Sequence, residues 1–123
     1  MNNMIYCGID PGLRGGITII NEKKELLSTN IMPTLKLLNK KTSLIDAVKV
    51  VSILSTYKPA FVVIEQQHSM PHQGVASSFT IGKNYGILIG ILETLNIQYK
   101  IVYSKTWQKY FFKYMPDNLD SKQ

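Results

Sequence analysis

Two short apolar runs stand out along this chain, and each one ends on a carboxylate. Ile5-Tyr6-Cys7-Gly8-Ile9 leads to Asp10 and breaks at Pro11-Gly12, and Phe61-Val62-Val63-Ile64 leads to Glu65. Residues 4–10 are apolar on both faces, which predicts a central strand. Ile17-Thr18-Ile19-Ile20 predicts a second strand, Asn21 to Lys24 a polar hairpin turn, and Leu26 to Met32 a third, more exposed strand. The chain therefore opens as an antiparallel meander. Pro33 to Lys41 reads as a basic connection. Ser43 with Asp46 three residues on has the form of a capping box. Leu44, Ala47, Val48, Val51 and Leu54 then mark one helical face that runs to about Tyr57, and Pro59 stops it.

The fourth strand is Ala60 to Glu65. Gln66 to Gly74 is a loop holding both histidines, His68 and His72, with Pro71. A long helix is expected from about Val75 to Leu95 and a fifth strand from Ile97 to Tyr103. Ser104 caps a short helix through Trp107, Tyr110 and Phe111, and 115–123 is polar. Within the long helix Gly82, Gly86 and Gly90 recur every four residues. Each costs about 1 kcal/mol relative to alanine in a helix interior, so close packing must offset them. We expect that packing to be on the domain's own sheet rather than in a dimer contact. Gly12, Gly15 and Gly16 predict a tight turn whose backbone approaches a ligand closely.

This element order predicts a mixed α/β domain over residues 1–123, with a five-stranded sheet, an antiparallel meander plus a parallel half, flanked by helices. Crossover helices make the first, fourth and fifth strands parallel. Asp10 and Glu65 then meet at the carboxyl ends of neighbouring strands, where open sheets bind ligands. Two carboxylates there repel unless a cation sits between them. Oxygen donors suit Mg²⁺ or Mn²⁺, and paired ions of this kind support phosphodiester hydrolysis. A salt bridge to lysine is the bland alternative.

Charge adds a partner class. The 123 residues carry a net charge of +6, and Arg14 is the one arginine among fourteen basic residues. Such a balance suits a polyanion, although a lysine-rich surface from biased base composition gives the same count. The single cysteine, Cys7, excludes an internal disulfide and fits a reducing compartment. No signal-peptide pattern is present, and the longest apolar stretch, Ile87 to Leu92, is too short to span a bilayer. Pro71 between His68 and His72 argues against a helical zinc pair. Lys105, Trp107 and Lys109 mix aromatic and basic groups, as a nucleic-acid contact or an ordinary amphipathic helix does. No phosphate-binding P-loop, nucleophile elbow or cysteine ligand set occurs.

Gly8-Ile9-Asp10-Pro11-Gly12, Ile64-Glu65-Gln66 and Gln73-Gly74-Val75-Ala76-Ser77-Ser78-Phe79 with Gly82 and Tyr85-Gly86 together resemble the RuvC-like Holliday-junction resolvases. The likeness is to the bacteriophage-type branch of the RNase H-like superfamily. It implies a homodimer that binds four-way DNA junctions and nicks them with Mg²⁺, Mn²⁺ being able to substitute. It also implies Asp10 and Glu65 as metal ligands and catalytic residues, with Lys109 and Lys122 as catalytic lysines. Arg14, Gln66, His68, Met70, His72, Gln73, Lys83 and Lys105 are the DNA contacts it suggests, and Met70 or Phe79 a wedge at the junction centre, Phe79 being equally suited to the core. Family members end in a helix with further acidic ligands. This chain stops before such a helix, which gives it the look of a shortened resolvase with slow or absent cleavage. Asp117 and Asp120 lie in the approach to it, and Gln108 stands where many relatives have lysine. The alternatives are a junction-binding module without catalysis and, more distantly, an actin-like nucleotide-binding domain.

Overall fold

The computed structural model describes residues 3–36, 43–66 and 72–104. Strands β1 (Ile5–Asp10), β2 (Gly16–Asn21) and β3 (Leu26–Ile31) form the meander. After them come β4 (Thr34–Lys36), β5 (Ser43–Ile45), helix α1 (Ala47–Tyr57), β6 (Phe61–Glu65), helix α2 (Val75–Thr94) and β7 (Tyr99–Val102). One sheet has the order β3-β2-β1-β6-β7, with β4 and β5 paired separately. β1 runs antiparallel to β2 and parallel to β6, and β6 runs parallel to β7. The mixed sheet with its meander and parallel half is therefore present.

Local chemistry explains the turns and stops. Asn21 Oδ1 accepts the backbone N–H groups of Lys23 and Glu25 at 2.9 and 3.0 Å, closing the β2–β3 hairpin. Lys58 ends α1 in the left-handed region (φ 49°), its N–H donating to the Leu54 carbonyl, and Pro59 cannot continue the helix.

The basic connection after Pro33 differs from expectation, because its Thr34–Lys36 stretch pairs with Ser43–Ile45 just beyond it as the β4–β5 hairpin. Buried Asn84 of α2 holds that hairpin. Its Oδ1 accepts the Ile45 N–H at 3.0 Å and its Nδ2 donates to the Ser43 carbonyl at 3.5 Å. Ser43 is thus a strand residue and not a cap. Asp46 caps α1 instead, accepting the Lys49 N–H at 3.2 Å. The helix begins later than a Ser43 cap requires, and its buried stripe is Val50 and Leu54. Leu44 lies in β5, and Val48 is 79% exposed.

Cys7, Ile9, Ile17, Ile19, Val62 and Ile64 cover one sheet face and share a core with Val50, Leu54, Leu88, Ile91 and Leu92. Burying each such aliphatic side chain contributes about 1.5–3 kcal/mol. The other face is not covered by described residues: Gly8 and Asp10 are exposed although β1 is central. The expectation of two apolar, buried faces therefore fails for β1.

Helix α2 corrects a second expectation. It buries Asn84, Leu88, Ile91 and Leu92, whereas Gly82, Gly86 and Gly90 point outward, and a β-carbon at any of them meets nothing within 4 Å. The glycine stripe does not pack on the sheet, because the leucine and isoleucine side of the helix occupies that contact. By length and composition α2 meets the requirement for crossing a bilayer, unlike the shorter Ile87–Leu92 stretch alone, yet its buried side belongs to the core of the sheet.

Candidate metal and nucleic-acid site

The site is built by strand register. Ile9 pairs with Ile64 in the parallel β1–β6 ladder, so the next residues, Asp10 and Glu65, stand side by side. Parallel strands are about 4.8 Å apart. Both side chains share the parity of Gly8 and Val63 and project on the open face. Asp10 is exposed and Glu65 half-buried. Their meeting therefore follows from mutual proximity at the sheet edge, not from burial of Asp10.

The turn after β1 holds Asp10 in place. The Gly12 N–H donates to Asp10 Oδ1 at 3.2 Å, and the Gly15 N–H donates to the Gly12 carbonyl at 2.8 Å. A β-carbon at Gly15 would clash with the Asp10 carbonyl oxygen, so only glycine lets the turn fold back this closely. That close approach is to the chain's own backbone.

Behind the carboxylates, Tyr6, Thr18, Ile20 and Val63 surround Gly8 in a groove of about 250 Å³ on the open face. Arg14 lies exposed in the turn and lines a cavity of about 190 Å³ with Thr80, Ile81 and Asn84 of α2. Gln66 extends the ladder, its N–H donating to the Val102 carbonyl at 2.7 Å. His72 is exposed with φ 67°, and half-buried Gln73 precedes Gly74, the N-cap of α2. Lys83 sits over the Phe79 ring at 5.6 Å, on the outside of α2. Phe79 is 69% exposed and so is not a core residue. His68, Met70, Lys105, Lys109 and Lys122, like Trp107, Asp117 and Asp120, lie outside the described residues.

Two oxygen donors on one face fit a hard divalent cation that keeps waters in its remaining positions. Among the described residues, no group of three His, Cys, Asp or Glu side chains could hold a metal. Cys7 takes no part, since burial pushes its thiol up to about 12 and leaves no nucleophilic thiolate. Two further residues matter that the sequence reading passed over. Asn84 anchors the hairpin, and Lys100 shares the carboxylates' face. Lys100 becomes visible only once the β6–β7 register is known.

The sequence matches no protein-family model and no curated protein. Its fold is similar to that of T. thermophilus RuvC in complex with Holliday junction substrate, with a TM-score of 0.64 and 17% identity, over 86% of this chain and 68% of RuvC. A second Thermus thermophilus RuvC structure gives 0.53 and 17%, over 81% and 64%. The chain spans about two thirds of the length of these RuvC chains. The likeness shows a RuvC-like, RNase H-like fold.

Proposed function

We propose that this chain is a structure-selective DNA endonuclease that resolves four-way junctions by divalent-metal-dependent phosphodiester hydrolysis. The observation that carries the reading is the Asp10–Glu65 pair at the carboxyl edge of β1 and β6, in a fold shared with a RuvC solved with Holliday junction substrate. Asp10 and Glu65 would hold Mg²⁺ or Mn²⁺, which supplies charge neutralisation at a phosphodiester. The chain's own residues do the rest. The Gly12 N–H fixes Asp10 Oδ1, and Arg14, Gln66, His72, Gln73 and Lys83 contact the DNA beside the pair, together with His68, Met70 and Lys105. Lys109 and Lys122 complete the catalytic set.

The homodimer belongs to the same proposal. Val75, Phe79, Gly82, Gly86 and Gly90 form an outward, uncharged stripe on α2, and an apolar helix side of this kind calls for cover. A two-fold axis would set the stripe of one copy against that of its partner. The cytoplasm of a bacterium or phage-infected host is the proposed setting.

One observation favours a second reading, a junction-binding module without catalysis: only two carboxylates gather at the edge among the described residues. Nicking of a synthetic four-way junction with Mg²⁺ or Mn²⁺ separates the two. We expect metal-dependent nicks that fall to background in Asp10→Asn while junction binding persists. Binding without nicking by the unmodified chain selects the second reading. Equal affinity for four-way and linear duplex DNA rejects both, and ATP binding alongside that result points to a nucleotide-binding domain.

A further inference from the structure

Among the described residues, the five strands of the main sheet contain three charged residues: Asp10, Glu65 and Lys100. Register puts all three on the same face. Lys100 pairs with Val63, which pairs with Gly8, and Val102 pairs with Glu65. Lys100 thus lies one strand across and two residues back from Glu65, at a Cα separation of roughly 8 Å from strand spacing and rise. It is exposed, and it borders the open face and not the core.

A lysine on an edge strand commonly guards against edge-to-edge aggregation. The opposite edge argues against that as the whole account. β3, Leu26–Ile31, is equally an edge and carries no charge, with Leu26, Leu27 and Ile31 exposed. This sheet does not protect its edges with lysine as a rule. It places its one strand lysine beside its two strand carboxylates.

We propose that Lys100 is a phosphate-holding residue of the same site. It would grip the DNA strand on the β7 flank of the carboxylate pair, while Arg14 serves the β2 flank. This rests on the junction-nuclease reading and adds a positioning residue that the family-like motifs do not include. The β7 flank follows from which strand neighbours β6, and the open face follows from the register.

The test is junction binding by fluorescence anisotropy across a NaCl series, for the unmodified chain and for Lys100→Ala, Lys100→Glu and Lys100→Arg. A lysine that neutralises one phosphate releases about one counterion. Its loss should lower the salt slope by about 1 and weaken binding roughly tenfold near 0.1 M salt. Lys100→Arg should retain the unmodified slope, and Lys100→Glu should bind more weakly than Lys100→Ala. Mg²⁺ should raise the melting temperature of all four proteins, because both carboxylates are untouched. Unchanged affinity and slope in Lys100→Glu overturns the proposal while leaving the junction reading intact, and aggregation of Lys100→Ala with unchanged affinity marks an edge guard instead. If the unmodified chain shows no preference for four-way over linear DNA, the underlying reading fails and this proposal with it.

Discussion

The two faces of the main sheet are made from the same strands and differ in almost every physical respect. On the covered face, Cys7, Ile9, Ile17, Ile19, Val62 and Ile64 are buried against both helices. On the open face, alternate residues of the same strands are Gly8, Asp10, Thr18, Val63, Glu65 and Lys100. Strand geometry sends successive side chains to opposite faces, so a run such as Phe61-Val62-Val63-Ile64-Glu65 serves two purposes at once. The covered half holds the sheet rigid. The open half then presents its carboxylates at fixed spacing, which is what a site for a hard cation needs.

The largest effect that tests this contrast is truncation on each face. Ile64→Ala removes a fully buried side chain and should cost about 2–5 kcal/mol. Val63→Ala, one residue earlier and 38% exposed, should cost under about 1 kcal/mol. Urea denaturation of both variants measures the difference. Equal losses would mean that the open face is covered in solution.

Helix α1 supports only the covered side, so its cap should affect stability and leave the site alone. Asp46→Ala deletes the bond to the Lys49 N–H and should cost about 1 kcal/mol, read from the denaturation midpoint. The Mg²⁺-induced shift in melting temperature should not change.

The smallest effect concerns α2, whose two sides repeat the contrast in miniature. In dilute monomer, Gly86→Ala should raise stability by up to about 1 kcal/mol, because the new methyl meets nothing within 4 Å and alanine favours the helix. In the proposed dimer the same methyl should weaken association, seen by analytical ultracentrifugation over a concentration series. Gained stability with unchanged self-association would remove α2 as the dimer contact.

Much of this was legible before any coordinates. The strands show as apolar runs, Asn21 and Pro59 mark a turn and a stop, and Asp10 and Glu65 stand at the ends of the two runs that pair in parallel. These features depend on local backbone preference, on side-chain period and on a neighbour or two along the chain. What the tertiary structure decided is of another kind. Asn84 reaches Ile45 across 39 residues to make a hairpin of an apparent connection, and that bond moves the helix cap from Ser43 to Asp46. The side of α2 that faces the core depends on which of its apolar sides meets the sheet. Since glycines and leucines both read as apolar, the outward turn of Gly82, Gly86 and Gly90 was hidden. Lys100 shares a face with Asp10 and Glu65 only through the pairing of β6 with β7. A shift of one residue in that register would carry it to the opposite face, because the side of a strand on which a charge stands is fixed by its partner strand.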